Sequence, residues 1–298
     1  MIGRREVSGE MASSLVPAAS SAAASSSHLL DSEDDDDVPT LSDTAATLQL
    51  LFQQCPPAAR CANAVPVAFV SQLYAILRNR TEVDREVEER RADGSLRVLE
   101  LPSCRGELLL VRAADYDGAL AAAAAAAANA ADRRVLDEVR RRALPACTAV
   151  RVKSSDLSAA LGAGRGETVA GALLRLGWML PARQACESAP GEAPELEGAE
   201  WRWTLPRCGA MVLQLVAART QLLRVLHRQR FGRALRSFVE TKIAQGAAAA
   251  PLPFGFVLRD LQGNELVSER EAGGGAALLE LTAAGKQAAE RVARKRRR

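Results

Sequence analysis

The chain has 298 residues, of which 48% are hydrophobic and only 4% aromatic, and its net charge is +3. This length exceeds that of a usual single domain, and abundant alanine with few aromatic residues favours two or three helix-rich domains with cores of Leu, Val and Ala. No apolar run approaches the roughly 18 residues that span a bilayer, and the N-terminus does not resemble a signal peptide, so we expect no membrane partner.

The N-terminal segment differs in charge from the rest of the chain. Residues 1–44 hold two arginines and nine acidic residues, a net of −7, so residues 45–298 carry +10 and the total is +3. The segment is rich in serine and alanine, includes the acidic run from Glu33 to Asp37, and has too little bulky apolar content to offset the entropy of ordering. We predict that it is disordered and that the folded remainder is basic.

The first predicted domain has three helices followed by two strands. Thr81 is the predicted N-cap of its third helix, and Gly94 marks the end of that helix. Three helices closed by a β-hairpin form a winged helix, a variant of the helix-turn-helix. The predicted helices lie around 48–52, 67–77 and 81–93, and the strands at 96–101 and 107–111.

The same order of elements recurs twice. The second round begins with a helix from Val135 through Arg142 and a short strand at 149–153. Two helices follow, one that starts at Ser155 or Asp156 and one at 167–176. Strands at 178–181 and 201–205 then flank a long wing tip at 185–199. The third round has a long helix from Cys208 through Leu226, helices at 234–243 and 254–261, and a hairpin that turns at 273–275.

We therefore predict an α+β, helix-rich chain of three tandem winged helices. Their predicted bounds are 45–118, 132–206 and 207–284, with a disordered acidic segment at 1–44, an alanine-rich spacer at 119–131 and a basic tail at 285–298.

An arginine-rich stretch points to nucleic acid. From Arg202 through Val239 there are eight arginines and no acidic residue, whereas a solvated helix face normally mixes both signs. Clustered arginines grip phosphates. The predicted DNA-binding residues are Arg219, Arg224, His227, Arg228, Arg230, Arg233, Arg236 and Lys242, and the predicted nuclear localisation residues are Arg294, Lys295, Arg296, Arg297 and Arg298.

No set of residues typical of a catalytic or metal site is found. Phosphoryl transfer needs a phosphate loop, a strand lysine, a catalytic aspartate and metal-binding acids. The glycine-rich residues 162–166 are not followed by Lys-Ser/Thr, so we interpret them as a turn between helices. His227 lies among arginines, which argues against a Ser-His-Asp site. The six cysteines have no C-x-x-C spacing, so we predict reduced thiols, no metal, no cofactor and no enzyme.

Several short motifs occur in a fixed order along residues 45–284. They are Ser71-Gln72-Leu73-Tyr74, Arg80-Thr81, Asp84-Arg85, Gly94-Ser95-Leu96-Arg97, Leu144-Pro145-Ala146-Cys147, Trp201-Arg202-Trp203 and Arg230-Phe231. In that order they resemble the serine/threonine-protein kinase 19 family. The resemblance implies a nuclear, tandem winged-helix protein that binds double-stranded DNA and assists transcription-coupled nucleotide excision repair, despite the kinase name. The acidic N-terminus, the alanine-rich segment and the C-terminal position of the basic tail depart from the family pattern.

The sequence leaves two classes of function open. The first is a DNA-binding repair accessory factor, with stalled RNA polymerase II and nucleotide excision repair factors as partners that the resemblance implies. The second is a winged-helix scaffold whose basic faces bind acidic protein surfaces, and a homodimer is compatible with either class. An atypical protein kinase is a distant third. The salt dependence of duplex binding separates the first two classes, because phosphate contacts make affinity fall steeply with salt.

Overall fold

The structure is a computed structural model, and it describes residues 41–55, 65–101, 107–182, 200–245 and 252–295. These residues belong to one compact unit. The fold is α+β and helix-rich, as predicted. Most of the segment predicted to be disordered lies outside the described residues, but Asp43 and Thr44 already belong to the first helix, which Ser42 caps by accepting a hydrogen bond from the backbone N–H of Ala45. We call residues 41–112, 113–205 and 206–295 the first, second and third modules.

In its described residues the first module has three helices and a three-stranded antiparallel sheet of order β1-β3-β2. The N-cap of α3 is Asn79 rather than the predicted Thr81, because the Asn79 side chain accepts a hydrogen bond from the backbone N–H of Glu82 at 3.3 Å. The elements are α1 (Asp43–Gln54), β1 (Ala68–Phe69), α2 (Val70–Ile76), α3 (Arg80–Ala92), β2 (Leu96–Glu100) and β3 (Leu108–Arg112).

The sheet of the first module is covered on both faces. Val98 pairs with Leu110, and both pack against α1, α2 and α3, whereas Leu99 pairs with Leu109, and both pack into a core shared with the other modules. Successive strand residues point to opposite faces, so a strand buried on both faces is apolar except where a buried polar side chain has hydrogen-bond partners. This explains the uninterrupted apolar run Leu108–Val111.

After an additional first helix, the second module repeats this order of elements, with a sheet of order β4-β6-β5. Its α5 continues through a π-helical turn, Val139–Ala143, into a short turn at Leu144–Ala146. Gly162 and Gly164 both have positive φ between α6 and α7, so the glycine-rich residues form a turn between helices, as predicted. The elements are α4 (Ala113–Ala126), α5 (Ala130–Glu138), β4 (Arg151–Lys153), α6 (Ser154–Leu161), α7 (Gly166–Leu176), β5 (Met179–Pro181) and β6 (Glu200–Trp203).

The third module has the same order again, with a sheet of order β7-β9-β8 and an added C-terminal helix. A 3-10 turn at Arg230–Gly232 joins the long α8 to β7. The elements are α8 (Cys208–His227), β7 (Arg233–Leu235), α9 (Arg236–Gln245), α10 (Phe254–Gly263), β8 (Val267–Ala272), β9 (Ala276–Leu281) and α11 (Ala283–Lys295).

Two predicted helices begin as strands in the structure. Residues 68–69 form β1 and residues 233–235 form β7, where the sequence predicts helices from residues 67 and 234. Each strand exists because it pairs with the last strand of its module, β3 or β9. An apolar run of two or three residues carries no periodicity of its own, so only the tertiary pairing distinguishes strand from helix here.

Two segments predicted to lie outside the domains are packed helices. The alanine-rich residues 119–131 form the end of α4 and the start of α5, and Leu120 and Ala124 are buried. The predicted basic tail forms most of α11, whose Ala289 is 1% exposed in the core. Alanine favours helices and has little side chain to bury, so an alanine-rich composition alone does not distinguish a spacer from a packed helix.

The first and third modules meet through α2 and α10. A Cβ atom on Gly263 would lie 1.6 Å from the backbone oxygen of Ser71, so the two helices approach as closely as a glycine permits. Gln72 donates a hydrogen bond to the carbonyl of Phe256 at 3.0 Å, and the rings of Phe69 and Phe256 meet edge to face at 5.8 Å. As a result one face of α10 is unavailable to any partner of the third module.

The first and second modules meet through a buried guanidinium. Arg97, on β2, is 4% exposed and donates hydrogen bonds to the carbonyls of Cys147, at 2.8 Å, and Leu144. Those carbonyls lie at the end of the helical turn after α5, where backbone acceptors have no partner within the helix. Arg97 therefore caps that turn across the module boundary.

One described helix, α8, is long and apolar enough by length and composition to cross a membrane. Its apolar residues include the core positions Leu215, Leu222 and Leu226, which are fully buried. On the opposite side Leu213 is 72% exposed. Core helices of folded proteins meet the same length and hydropathy criterion, so the helix is weak support for a membrane span.

Candidate nucleic-acid interface

The acid-free arginine stretch is partly neutralised by acids from elsewhere in the chain. Of its eight arginines, four form ion pairs among the described residues, and the acids come from β2, the residue before β3, α10, β8 and β9. The pairs are Arg202 with Glu100, Arg219 with Glu107 and Asp260, Arg233 with Glu280, and Arg236 with Glu269.

Arg219, which the sequence predicts to bind DNA, is held inside the fold by two carboxylates. Its Nε lies 2.5 Å from Asp260 and its Nη2 lies 3.0 Å from Glu107, and only 14% of its side chain is exposed. Burial alone would lower the pKa of Arg219, but its hydrogen bonds to the two carboxylates raise that pKa above the usual range. Asp260 is fully buried and also accepts a hydrogen bond from Ser71 at 2.8 Å. This network joins α8 and α10 to the first module and engages four of the five N–H donors of Arg219.

Arg233 and Arg236 are half-exposed but engaged. Arg233 lies 2.7 Å from Glu280, and Arg236 lies 3.0 Å from Glu269. The hydrogen bond from Arg233 lowers the pKa of Glu280, with smaller contributions from Arg270 and Lys286. These two arginines can reach a ligand, but each lies beside a negatively charged carboxylate.

Four basic residues at the C-terminal end of α8 have no acidic partner among the described residues. His227, Arg228 and Arg230 are exposed and Arg224 is half-buried one turn before Arg228. The negative end of a helix dipole favours cations at this position, and the buried stripe of α8 orients them away from the core. The sequence predicts these four residues, and the structure places them on consecutive turns at one end of the third module.

A concave surface adjoins this end of α8. It encloses about 520 Å³ between the 3-10 turn, β7, β9 and α11. Lys286 lines it, a residue that the sequence assigns only to a basic tail, because the packing register of α11 is not visible in the sequence. Its lining residues are His227, Gln229, Phe231, Gly232, Arg233, Glu280, Leu281, Lys286 and Glu290.

Phe231 has an unusual conformation at the edge of this cavity. Its φ is 62°, in the left-handed region, and the residue is 68% exposed. The guanidinium of Arg230 lies 4.9 Å from the centre of its ring. A left-handed backbone costs a bulky residue roughly 1–2 kcal/mol, and an exposed ring recovers little of that by burial. The sequence does not single out Phe231 as a site residue, because backbone strain has no signal in composition or periodicity.

The remaining predicted site residues are spread over the third module. Lys242 lies exposed on α9, 5.8 Å from the ring of Phe238. Arg294 is exposed near the end of α11. Arg296, Arg297 and Arg298 lie outside the described residues, and only the backbone of Lys295 is described.

Two exposed helices of the other modules, α3 and α7, are poor surfaces for nucleic acid. On α3, Arg85 pairs with Glu82 and Glu89, and Arg91 pairs with Glu88. On α7, Arg175 pairs with Asp132 at 2.6 Å. Paired charges of both signs cancel at the distance of a phosphate backbone, so these two helices are weaker cationic surfaces than the end of α8.

Within the described part of the chain, no group of three His, Cys, Asp or Glu side chains could hold a metal ion. Cys147 and Cys208 are buried and Cys55 is half-buried, and all three are present as thiols. Burial raises the pKa of the Cys147 and Cys55 thiols, which disfavours the reactive thiolate.

Comparison with known proteins gives one family. The model of the family described as inactive serine-threonine protein kinase 19 matches residues 37–268, well over half of the chain. The matched range includes the arginines at the end of α8 and ends within β8. No curated protein matches the chain.

Proposed function

This chain belongs to the inactive serine-threonine protein kinase 19 family, and from that membership and its basic surface we propose that it is a double-stranded-DNA-binding accessory protein built from three tandem winged helices. The winged-helix assignment is supported by the threefold recurrence of helix, strand, two helices and a hairpin, with the first strand paired to the last in each sheet. The predicted wing tip at 185–199 lies outside the described residues.

We propose that DNA lies against the end of α8 rather than against the usual recognition helix. In a winged helix the third helix normally enters the major groove, and in the third module that helix is α10, which packs against α2. The corresponding helix of the first module, α3, carries five acidic residues. Neither is suited to reading bases.

The observation that carries the proposal is the set of three arginines at the end of α8, Arg224, Arg228 and Arg230, which have no acidic partners among the described residues. His227 lies beside them. Such cations contact phosphates, and phosphate contacts give affinity without sequence preference. We therefore propose binding that depends on the DNA backbone.

The cellular role is proposed from the family resemblance. We propose a nuclear protein that assists transcription-coupled nucleotide excision repair, with stalled RNA polymerase II and repair factors as partners and residues 294–298 as the localisation signal. We propose no phosphotransferase activity, in keeping with the family's description as inactive and with the missing residue sets for phosphoryl transfer.

A second candidate function is a protein scaffold. Leu213 and Val216 are 72% and 42% exposed on one side of α8, and exposed apolar residues at helical spacing suit a protein partner or a second copy of this chain. The scaffold alternative predicts that duplex DNA binds weakly and with a shallow dependence on salt.

Titration with duplex DNA at several salt concentrations tests the proposal. Replacing Arg228 and Arg230 by alanine should weaken binding to unrelated sequences alike and reduce the log-log salt slope by roughly 2, at about 0.9 per lost phosphate contact. The matched control replaces Arg85 and Arg90 on α3, among acidic neighbours, and should leave the slope unchanged. A control variant that abolishes binding while the α8 variant binds normally would move the DNA surface to the first module.

A further inference from the structure

The cavity beside α8 has the features of a site for one unpaired nucleotide. We propose that it accepts a single nucleotide displaced from a DNA duplex, with its base stacked on Phe231. This proposal rests on the proposed DNA binding and adds a preference for duplexes that contain an unpaired nucleotide.

Phe231 is suited to stacking on a base. The residue is 68% exposed at the cavity edge, and the guanidinium of Arg230 lies over one face of its ring, 4.9 Å from the ring centre. Exposed aromatic rings flanked by arginine bind unpaired bases of any sequence, because every base has a π-face. The φ of Phe231 is 62°, in a backbone region that residues with side chains disfavour. Such backbone strain concentrates at ligand sites.

The backbone around Phe231 keeps the cavity open. Gly232 also has a positive φ, of 70°, and a Cβ at this position would lie 3.4 Å from the Leu281 side chain. Gly232 and Leu281 both line the cavity. A residue with a side chain at position 232 would be strained by this φ, and its Cβ would be in van der Waals contact with Leu281, so glycine maintains the turn beside the apolar part of the cavity wall.

The polar residues of the cavity match the other parts of a nucleotide. His227, Arg233 and Lys286 line it and can contact the phosphates on either side of a displaced base. Glu280 is held by Arg233 at 2.7 Å, which reduces its repulsion of a phosphate. Gln229 and Glu290 also line the cavity, and amide and carboxylate oxygens accept hydrogen bonds from the amino groups of bases.

Size and access favour an unpaired nucleotide over a paired one. A volume of about 520 Å³ lies within the range of small-ligand pockets. A base within an intact duplex is stacked on its neighbours and cannot enter a cavity, so only a bulged, mismatched or displaced base can reach Phe231. Displacing a base from the duplex costs the least free energy where its base pair is already lost. This difference gives the preference for duplexes that contain an unpaired nucleotide.

The test compares two DNA duplexes that differ by one bulged 2-aminopurine nucleotide. The full-length protein should bind the bulged duplex on the order of 10-fold more tightly than the intact one, and the 2-aminopurine fluorescence should be quenched on binding. Phe231→Ala should lose this difference and the quenching while keeping its affinity for the intact duplex. Phe231→Trp should retain both.

Two further variants make the result interpretable. Phe238→Ala removes a different exposed aromatic residue of the third module, one outside the cavity, and should behave as the unchanged protein. Phe231→Gly removes the ring and suits the left-handed backbone, so it separates loss of stacking from a distorted turn.

The outcomes distinguish this proposal from the DNA-binding proposal. Equal binding of both duplexes by the unchanged protein, or equal loss of affinity for both on changing Phe231, overturns the nucleotide site while duplex binding stands. Failure of the unchanged protein to bind either duplex overturns the proposed function itself.

Discussion

At the residue scale, the position of a charge matters more than its presence. Arg219 and Arg228 both belong to the arginine-rich stretch, yet Arg219 is held between Asp260 and Glu107 and Arg228 is exposed with no acidic partner among the described residues. A buried ion pair offsets the cost of removing both charges from water only while both partners remain. Arg219 thus contributes to the fold and Arg228 to the surface potential.

This difference predicts unequal responses to the same kind of substitution. Arg219→Met should lower the free energy of unfolding by about 3 kcal/mol, because the fully buried carboxylate of Asp260 loses its cation. Arg233→Met breaks the half-exposed pair with Glu280 and should change stability by no more than about 1 kcal/mol. Chemical denaturation of the two variants measures both values.

A second substitution tests the cause. Arg219→Met combined with Asp260→Leu should recover most of the lost stability, because no buried charge then remains without a partner. If Arg219→Met is as mild as Arg233→Met, the network between α8 and α10 does not stabilise the fold.

At the element scale, α2 and α10 are in close contact. The contact depends on Gly263, on the carbonyl of Ser71 beside it, and on Arg80, which donates a hydrogen bond to the Gly263 carbonyl at 3.2 Å and pairs with Glu265 at 2.7 Å. The backbone of α2 cannot move aside as a flexible side chain can, so a larger residue at 263 must displace a whole helix.

Two alanine substitutions in the same helix should therefore have different effects. Gly263→Ala should destabilise the protein by about 1–3 kcal/mol, because the added methyl overlaps the Ser71 carbonyl. Gly255→Ala meets only a flexible arginine end at 3.7 Å and should be neutral or stabilising by up to about 0.5 kcal/mol. Denaturation midpoints give the comparison, and similar midpoints for both variants would show that α2 and α10 are not in close contact.

At the scale of the whole molecule, the three modules share one core. A single cluster of buried residues includes Leu99 of the first module, Trp203 of the second and Leu222 of the third. Tyr116, at the start of the second module, is fully buried and donates a hydrogen bond to the carbonyl of Thr204 at 2.9 Å. With so much apolar area at the boundaries, no module can unfold without exposing the faces of the others.

We predict that the modules unfold together. The three tryptophans, Trp178, Trp201 and Trp203, all lie in the second module and are buried, so their fluorescence reports on that module, while far-ultraviolet circular dichroism reports on every helix. The two denaturation curves should coincide, as in a two-state transition. A tryptophan transition separate from the helical one would mean that the second module folds independently.

The sequence alone determined the helices, helix ends and turns whose signals lie in neighbouring residues. The helix of Cys208–His227, the stop of α7 at Gly177 and the hairpin around residues 273–275 follow from apolar periodicity and glycine positions, which act through neighbouring residues. The arginines at the end of α8 are also identified by sequence, because their spacing and the lack of nearby acids are properties of the sequence.

Only the tertiary structure decided which predicted residues have acidic partners. Arg219, Arg233 and Arg236 are paired by acids that lie distant in sequence, and the strands β1 and β7 exist only through pairing with β3 and β9. The packing of α10 against α2 and of α11 into the core likewise joins residues far apart in the chain. Such contacts depend on the distance between side chains in space, and local propensity and charge counting do not specify that distance.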